Sequence, residues 1–420
     1  MPIKLIRNLE TLGKKHLLIV GRSSLVKLKG GYYANPNEGR YIEDLSMYFT
    51  KMTLCVNVFK TPDNFASKSF KLNDKKFEII ELPITLHAGI THKLWQYAVR
   101  FWRIGVASSS ADMIFFFSTG FLGLYTWMIS VIRKVPSISY IGGDWCVYTK
   151  IQIEKYRKNI ILWPIFILYS KIVCFLEDYS RRRVNIRLIR GEELYVRYQK
   201  CHIGFSYRML PMTNISWHDI RKEETVPTKL HKPARLLFVG RLETENGTDD
   251  LLNAIELLIR SYSQQVELWI AGEGSLLSSI QTQIHRNSLP INLLGYIENG
   301  KPLIDVYRAC DILVIPALRA GLPRVIIEGM SQGLPIIATD VGGISKIIQN
   351  NLNGLLYKPG DFKELAHSIL RMLEDSYFRK SCSNIGVKNA YKLIKKESAG
   401  EFTAKVISNH IHAIHKNLEE

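Results

Sequence analysis

The second half of the chain alternates short apolar runs with amphipathic stretches, and this alternation limits the possible folds more than any other feature. The apolar runs predict strands at Arg235–Gly240, Val266–Ala271, Ile291–Leu294, Ile312–Pro316 and Pro335–Thr339. Helical periodicity predicts helices between them, at Asp249–Arg260, Leu276–His285, Leu303–Ala309 and Val325–Gln332. This pattern, with its short loops, is typical of an open parallel sheet covered by helices.

The first half repeats this pattern less regularly and predicts a second α/β unit. Its apolar runs predict strands at His16–Val20, Thr53–Phe59, Phe77–Leu82, Met113–Phe117, Ser137–Ile141 and Asn185–Ile189. Helices are predicted at Ile42–Thr50, His92–Ile104 and Leu122–Arg133. The polar segment Ser216–Lys232 reads as a linker. We therefore expect domains at 1–215 and 233–397, a linker at 216–232, and a closing helical segment at 398–420. Two such sheets predict a ligand cleft at the carboxyl ends of their strands.

The charge of the chain is concentrated in its first half. The 420 residues are 46% hydrophobic and 22% charged, a balance that excludes disordered and collagen-like classes. The formal charge is +18, and residues 1–230 carry 35 basic against 18 acidic side chains, or +17. Such a basic module could face nucleic acid, anionic lipid or a phosphorylated substrate. Because the sequence has no helix-turn-helix, zinc-finger or RNP pattern, we expect no nucleic-acid partner.

An apolar segment between basic clusters favours a membrane surface as partner. The segment Ile160–Leu176 contains Pro164 and Lys171, so it does not form an uninterrupted span of about 20 apolar residues. The basic residues on its two sides are Lys155, Arg157, Lys158, Arg181, Arg182 and Arg183. This arrangement predicts peripheral attachment to an anionic surface, the inner face of the membrane. The alternative is a core helix with solvated charged ends.

The cysteines and the N-terminus predict a cytoplasmic protein. Six cysteines are scattered without a C-x-x-C pair, which suggests neither a zinc site nor a disulfide framework. A reducing compartment is then the simplest expectation. The apolar run Leu17–Val20 is too short for a signal peptide.

A glycine-containing loop that opens onto a helix predicts an anion site between Ala320 and Gly343. The amides at a helix start bind anions, and the helix dipole adds to this effect. Arg324 lies in the first turn, where a bound phosphate would explain a cation; a solvent-facing arginine is the alternative. Glu328 lies one turn later and could accept ribose hydroxyls. Its alternative is an ion pair with Arg324 at i,i+4.

Five strand–loop–helix units in register carry a resemblance to a known family. These units lie within residues 236–375 and include the Ala320–Gly343 segment. The other runs are LLFVGRLETENGTDDLLNAIELL, LWIAGEGSLLSSI, LGYIENGKPLIDVYRACDILVIPA and NNLNGLLYKPGDFKELAHSILRMLED. They resemble the nucleotide-sugar-binding domain of retaining glycosyltransferases of family 4, which have the GT-B fold. The resemblance implies two Rossmann-like domains that face a cleft. It also implies that the helix at Phe402–Lys416 crosses back to the first domain.

The family resemblance implies roles at matching positions. Arg241, beside Gly240, would contact the donor diphosphate, and Glu328 would hold the ribose; these two are the predicted catalytic residues. Tyr296 and Ile297 would face the base. The phosphate-binding loop and helix start would comprise Gly321, Leu322, Pro323, Arg324 and Val325.

Candidates on the acceptor side are fewer and come from the first domain. The family has a glycine-containing loop after its first strand, which implies an acceptor-side role for Gly30, Gly31, Gly39 and Arg40. Asp144, in the turn GGDW, is a further candidate for a polar cleft residue, with an ordinary glycine-turn aspartate as its alternative.

Two positions depart from the family pattern, and both bear on catalysis. The family usually has a lysine five residues after the arginine, where this chain has Asn246, which we keep among the donor-binding residues. The first glutamate of the E-x7-E motif is replaced by Ala320. We expect no metal or other cofactor, because no D-x-D lies in a suitable loop and the Arg241 guanidinium with helix-start amides would stabilise the diphosphate.

The resemblance predicts a hexosyltransferase-type enzyme that uses a nucleoside diphosphate sugar. A lipid-linked precursor of a surface polysaccharide is the favoured acceptor, because it would explain both the positive charge and the apolar segment. Two alternatives remain open. One is a non-catalytic GT-B protein or partner subunit that binds nucleotide or glycan. The other is a nucleotide-sugar epimerase of the same two-domain fold.

Overall fold

The computed structural model divides the chain into two units. It describes residues 12–60, 70–73, 76–83, 90–118, 120–143, 146, 149, 162–190, 192–209, 215, 217–319, 323–394 and 398–419. Unit 1 comprises Met1–Leu210 and Glu397–Glu420, and unit 2 comprises Pro211–Lys396. Each unit is built on a sheet of mainly parallel strands with helices between them, which confirms the predicted α/β class.

Unit 1 contains a sheet of nine strands within its described residues. These strands are β1 (His16–Leu28), β2 (Gly31–Ala34), β3 (Lys51–Lys60), β4 (Phe70–Lys71), β5 (Phe77–Leu82), β6 (Met113–Phe117), β7 (Ser137–Ile141), β8 (Ile186–Arg190) and β9 (Phe205–Met209). The parallel strands follow the order β5-β3-β1-β6-β7-β8-β9. The short strands β2 and β4 continue the sheet in antiparallel pairing beside the second half of β1.

The strand order decides which face of this sheet each helix covers. The first helices of unit 1 are α1 (Pro36–Ser46), α2 (Ile90–Ala107), α3 (Gly120–Ile132), α4 (Leu162–Arg183) and α5 (Glu192–Tyr198). The chain runs outward from β1 to β5 and then returns to run from β6 to β9 in the other direction. Because crossovers between parallel strands are right-handed, α2, α3 and α4 lie side by side over one face and α1 lies over the other.

Unit 2 contains six parallel strands within its described residues, in the order β12-β11-β10-β13-β14-β15. The strands are β10 (Ala234–Val239), β11 (Val266–Ala271), β12 (Ile291–Gly295), β13 (Ile312–Ile315), β14 (Ile336–Thr339) and β15 (Leu355–Tyr357). The helices are α6 (Thr248–Tyr262), α7 (Leu277–Asn287), α8 (Lys301–Arg308), α9 (Arg324–Ser331), α10 (Phe362–Glu374) and α11 (Ser376–Leu393). Successive strand residues alternate between two apolar cores: Leu236 and Phe238 lie in one, and Leu237 lies in the other.

The segment predicted as a linker belongs to unit 2. It forms two short 3₁₀ turns, Trp217–Asp219 and Glu223–Thr225. The side chains of Ile220 and Val226 are buried in one of the two cores of that unit. Apolar residues within a polar stretch therefore attach it to the sheet.

The last helix of the chain, α12 (Ala399–Glu419), packs in unit 1. It contacts α1, where the hydroxyl groups of Tyr41 and Thr403 lie 2.9 Å apart. His410 stacks on Phe205 of β9 with ring centroids 3.7 Å apart. The helix therefore covers the sheet face on which α1 lies.

The basic cluster at the end of α4 is not uniformly solvent-facing, which corrects one sequence expectation. Arg181 is only 1% exposed. It donates hydrogen bonds to Ser118 Oγ (3.0 Å) and to the carbonyl of Gly143 (2.7 Å), and it pairs with buried Glu177 at 2.5 Å. Arg182 and Arg183 are exposed. The flanking residues Lys155, Arg157 and Lys158 lie outside the described residues.

A second buried arginine closes the carboxyl end of α4. Arg187, on β8, donates to Ser206 Oγ at 2.8 Å and to the carbonyl of Val184 at 2.8 Å. The same guanidinium reaches the carbonyls of Arg181 and Arg182. Because the last carbonyls of a helix lack intrahelical donors, this cation satisfies them. Burial lowers the pKa of Arg187.

One pair of cysteines contradicts the expectation that the chain has no disulfide. Cys146 and Cys174 form a disulfide bond, and 28 residues separate them in the sequence. Cys55, Cys201, Cys310 and Cys382 are free thiols. A reducing compartment no longer follows from the cysteines, because disulfides persist in oxidising environments. The sequence did not indicate this pair, because no local pattern links Cys146 to Cys174 of α4.

None of the helices within the described residues is long and apolar enough to cross a membrane. The predicted apolar segment falls largely within α4, whose start at Leu162 is preceded by residues outside the described set.

We predict that Arg181 stabilises unit 1 and that Arg182 does not. Replacing Arg181 with Gln should lower the free energy of unfolding by about 3–5 kcal/mol, because Glu177 would remain buried without its cation. Arg182→Gln is the matched control: its ion pair with Asp178 is solvent-exposed, so the loss should stay below about 1 kcal/mol. Differential scanning calorimetry measures both. Equal shifts of the unfolding transition in the two variants would contradict the assignment.

Candidate functional site

The strand order of unit 2 creates one position where loops diverge. The order in which strands are added to the sheet reverses between β10 and β13. The strands β11 and β12 lie on one side of this pair, and β14 and β15 lie on the other. The loops that follow β10 and β13 therefore leave the sheet on opposite sides, and ligands of such sheets bind outside the carboxyl ends of these strands. We take this edge as the candidate site.

The loop after β10 is held close to the loop after β13. Gly247 ends this loop with a φ of +69°, and a Cβ atom there would lie 1.8 Å from the carbonyl oxygen of Pro316. Only glycine fits this left-handed conformation and close approach. The carbonyl of Glu245 accepts hydrogen bonds from the amides of Leu318 (2.9 Å) and Arg319 (3.3 Å). Glu245 thus joins the two loops through its backbone.

Arg241 presents a solvent-facing cation at this edge. Its side chain is 74% exposed and pairs with Glu245 Oε1 at 3.1 Å. An ion pair as exposed as this one contributes little to stability, so an anionic ligand can replace the carboxylate. Gly240, which precedes it, is fixed by a hydrogen bond from its amide to the carbonyl of Ala271 at 3.1 Å.

Asn246 supports the loop rather than adding charge to it. Its side-chain amide donates to the carbonyl of Arg241 at 2.7 Å, and its backbone amide donates to the carbonyl of Glu243 at 2.9 Å. The neutral amide therefore fixes the backbone of Arg241. Position 246 therefore supplies no positive charge to this edge of the sheet.

The loop after β11 also forms hydrogen bonds with the loop after β10. The carboxylate of Glu243 accepts hydrogen bonds from the Ser275 amide (3.2 Å) and hydroxyl (2.6 Å), and these bonds lower the pKa of Glu243. The amide of Leu242 donates to the carbonyl of Glu273 at 2.9 Å. The loops after β10 and β11 thus form one hydrogen-bonded layer that orients Arg241.

Arg319 was missed by sequence reasoning, although the structure brings it to the same edge. Its backbone amide is bonded to the carbonyl of Glu245, the residue before Asn246, and its side chain is exposed. The sequence does contain a signal, an arginine directly before Ala320. Arg319 can be assigned to this edge only from the structure, which shows that the loops after β10 and β13 are hydrogen-bonded to each other.

Glu328 lies in the second turn of α9 and is 4% exposed. Its Oε2 accepts a hydrogen bond from the hydroxyl of Tyr307 at 2.9 Å. Burial and the neighbouring carboxylate raise the pKa of Tyr307 far above its usual range, so the phenol remains a donor. Tyr307 was not predicted from the sequence. It holds Glu328 from α8, and this contact joins two consecutive helices of unit 2.

The remaining predicted donor residues occupy the same edge or fall outside the described set. Pro323 precedes α9, and Arg324 and Val325 form its first turn. Tyr296 and Ile297 follow Gly295 at the carboxyl end of β12, and both are partly buried. Ala320, Gly321 and Leu322 lie outside the described residues.

The acceptor-side candidates are distributed differently from the sequence expectation. Gly30 lies in the tight turn after β1, and Gly31 begins β2. Gly39 is not in a loop: it lies within α1, and a Cβ atom there would be 2.4 Å from the Phe70 ring. Arg40 follows it in the same helix and is exposed. Gly39 and Arg40 lie outside a loop because β1 continues to Leu28 and α1 starts at Pro36. Asp144 lies outside the described residues. The acceptor-side role of these residues stays a prediction.

Metal ligands do not gather at this edge in the part of the chain that the structure describes. No group of three histidine, cysteine, aspartate or glutamate side chains there could hold a metal ion. The expectation of a metal-independent reaction stays a prediction.

Comparison with known proteins gives a match in the second half of the chain. Residues 233–375 match the family model described as glycosyl transferases group 1. The uncharacterized glycosyltransferase MJ1607 of Methanocaldococcus jannaschii is 28% identical over 173 residues, which is 41% of this chain and 44% of that protein. The amylovoran biosynthesis glycosyltransferase AmsK of Erwinia amylovora is 31% identical over 34% of this chain and 37% of its own length.

A third relative has a more specific name. It is the Campylobacter jejuni transferase that adds an α-1,4-linked N-acetyl-D-galactosaminyl group to a diNAcBac-PP-undecaprenol glycan, and it is 28% identical over 39% of this chain and 45% of its own length. The match thus spans less than half of each of these relatives.

Solved structures match over nearly the whole chain. Anabaena Alr3699/HepE in complex with UDP superposes with a TM-score of 0.63 at 15% identity, covering 96% of this chain and 100% of that one. WaaG, a glycosyltransferase involved in lipopolysaccharide biosynthesis, gives 0.61 at 14% identity, covering 93% and 99%. At this level of identity the likeness shows the fold.

Proposed function

We propose that this chain, which belongs to the glycosyl transferases group 1 family and has the GT-B fold, transfers a sugar from a nucleoside diphosphate donor to an acceptor glycan. One observation carries the proposal: two exposed arginines, Arg241 and Arg319, stand on loops that Glu245 joins at the switch point of unit 2. A diphosphate that binds at a switch point lies between the two diverging loops, and cations on these loops would form charge-assisted hydrogen bonds with it.

The reaction develops negative charge on the departing nucleoside diphosphate. Fixed cations that face this charge lower the barrier, and they act without reorganising during the reaction. In our proposal Arg241 contacts the diphosphate from the loop after β10. Arg319 supplies, from the loop after β13, the charge that position 246 lacks. Glu328 holds the ribose, and Tyr307 positions it.

The finer features of the reaction are also part of the proposal. We propose a hexosyl donor and retention of the anomeric configuration. A lipid-linked diphosphate or a surface-polysaccharide precursor is the proposed acceptor. Two relatives support it by name, because one acts in amylovoran biosynthesis and the other on an undecaprenol-linked glycan.

A panel of donors and acceptors tests the proposed function. Calorimetry with uridine, guanosine and adenosine diphosphates identifies the base. Release of the nucleoside diphosphate from the corresponding sugar nucleotides, with water or a lipid-linked glycan as acceptor, then measures turnover. Proton NMR of the first product reports its anomeric configuration. Tight nucleotide binding without turnover on any donor would instead support a non-catalytic binding protein, an alternative favoured by the residues at Asn246 and Ala320.

We predict that Arg241→Ala weakens binding of the preferred nucleoside diphosphate by about tenfold or more, while binding of the free nucleoside changes little. A charge-assisted contact to phosphate is lost, and the base and ribose contacts remain. The control is Arg260→Ala, which removes an exposed arginine from the far end of α6. Isothermal titration calorimetry measures the affinities of wild type and both variants for the nucleoside diphosphate and for the nucleoside. A variant that binds the diphosphate as tightly as wild type would remove Arg241 from the site.

We predict that Arg319→Ala lowers the turnover rate by about 10²–10³-fold. Arg286→Ala, in the last turn of α7, is the matched control and should leave the rate unchanged. A rescue makes the test specific: Asn246→Lys in the Arg319→Ala background should restore part of the rate, because it returns a cation to the adjacent loop. Full activity of Arg319→Ala would show that the charge comes from another group.

We predict that Glu328→Gln keeps the fold and loses discrimination for the ribose. The glutamine carbonyl still accepts the Tyr307 hydrogen bond, but the negative charge that favours the two ribose hydroxyls is gone. The measurement is the ratio of affinities for ribo and 2′-deoxy nucleoside diphosphates, which should approach one in the variant. A wild-type protein that binds both equally would exclude this role for Glu328.

A further inference from the structure

The outer surface of α2, α3 and α4 is unusually apolar for a solvent-facing layer. On α2, the exposed Trp95, Trp102 and Val106 recur at spacings that place them on one side of the helix. Trp102 is 67% exposed. The opposite side of α2 packs on the sheet, where Ile104 is fully buried. These large side chains are therefore not part of the core of unit 1.

The neighbouring helices continue this surface. On α4, Leu168, Ile172 and Phe175 recur with the same helical spacing, and Phe175 is 66% exposed. On α3, Val131 and Ile132 are exposed next to the helix end. We call the exposed side chains Trp95, Trp102, Ile132, Leu168, Ile172 and Phe175 the apolar face. Among the described residues of unit 2, the exposed large apolar side chains are instead isolated: Tyr262, Leu352 and Tyr377.

Aromatic contacts hold the three helices as one layer. Phe101 of α2 meets Tyr125 of α3 edge to face, with ring centroids 6.4 Å apart. Trp127 of α3 meets Tyr179 of α4 in the same way, at 5.8 Å. The three helices lie side by side on one face of the sheet, so the apolar face is broad rather than confined to a single helix. A broad exposed apolar patch on a folded unit marks a site of interaction.

The charges around the apolar face identify its partner. Lys171 is exposed on α4 next to Ile172, and Arg133 and Lys134 follow α3. The Arg183 guanidinium stacks on Tyr179, 3.7 Å from the ring centroid. Only two acidic residues occur on the three helices in the described part of the chain, and each already has an arginine partner: Glu177 pairs with Arg181, and Asp178 pairs with Arg182. The surface is thus apolar and aromatic at its centre and basic at its edges.

We propose that the apolar face of unit 1 docks on an anionic lipid bilayer, with α2, α3 and α4 lying in the plane of the interface. Tryptophan and other apolar side chains enter the headgroup region, while lysine and arginine keep their charges beside the phosphates. A second copy of this chain fits less well, because residues 1–230 carry +17 and two such surfaces would repel each other. The proposal concerns unit 1 and is independent of catalysis.

Vesicle co-sedimentation of the full chain tests the proposal. Wild-type protein should pellet with vesicles of phosphatidylcholine and phosphatidylglycerol at low salt, and high salt should release only part of it, because salt screens the charges but not the apolar contact. The double variant Trp102→Ser/Phe175→Ser should bind these vesicles at least about tenfold more weakly. The matched control Leu352→Ser/Tyr377→Ser removes two exposed apolar side chains from unit 2 and should bind as wild type.

A charge variant and a folding control complete the experiment. Lys134→Gln/Lys171→Gln should weaken binding to anionic vesicles without changing the aromatic residues. Circular dichroism and nucleoside diphosphate calorimetry should be unchanged in every variant, so that loss of vesicle binding is separated from loss of the fold or of the donor site. Any one of three results would overturn the proposal. They are no sedimentation at low salt, equal binding to neutral and anionic vesicles, or a dimer that only the Trp102→Ser/Phe175→Ser variant dissociates.

Discussion

Parallel pairing of the strands is the constraint on which the rest of the molecule depends. A parallel strand can only be followed by another after the chain has crossed back over the sheet, and these crossovers share one handedness. In unit 2 this rule gathers the loops after β10 and β13 at a single edge, where the loops that carry Arg241 and Arg319 are hydrogen-bonded to each other through Glu245. In unit 1 the same rule places α2, α3 and α4 together on one face. The proposed donor site and the proposed docking surface are therefore both consequences of strand order.

Hydrophobic pattern predicts the elements of this fold where they are buried on both faces. The runs Val266–Ala271, Met113–Phe117 and Ser137–Ile141 have the same bounds in the structure as in the sequence prediction. The pattern fails at β1, which continues beyond Val20 to Leu28, because its second half pairs with the short antiparallel strand β2. Gly21 and the polar residues Arg22, Ser23 and Ser24 follow the apolar run, so the run ends before the strand does. The error then carries over to Gly39, which lies in α1 rather than in a loop.

Some residues of the candidate site can be predicted from local sequence patterns, and others can be identified only from the structure. Arg241 and Glu328 stand at fixed places in strand–loop–helix units, so the sequence indicates both. Tyr307 and Arg319 act through contacts between different elements. Tyr307 donates a hydrogen bond from α8 to Glu328 on α9, and the amide of Arg319, in the loop after β13, donates to the carbonyl of Glu245 in the loop after β10. No spacing rule connects these partners. The loss of a lysine at position 246 was visible in the sequence, but its proposed replacement was visible only in the structure.

The three arginines at the end of α4 show why net charge alone does not identify a binding surface. Arg181, Arg182 and Arg183 are consecutive in the sequence, and each contributes one charge to the +17 of residues 1–230. In the structure Arg181 is buried against Glu177, Arg182 pairs with Asp178, and Arg183 stacks on Tyr179. Because a buried, paired cation cannot reach a lipid phosphate, only part of the formal charge is available at the surface. The proposed attraction to a membrane would then come from cations such as Lys134 and Lys171 together with the exposed aromatic side chains, and each contribution would respond differently to salt.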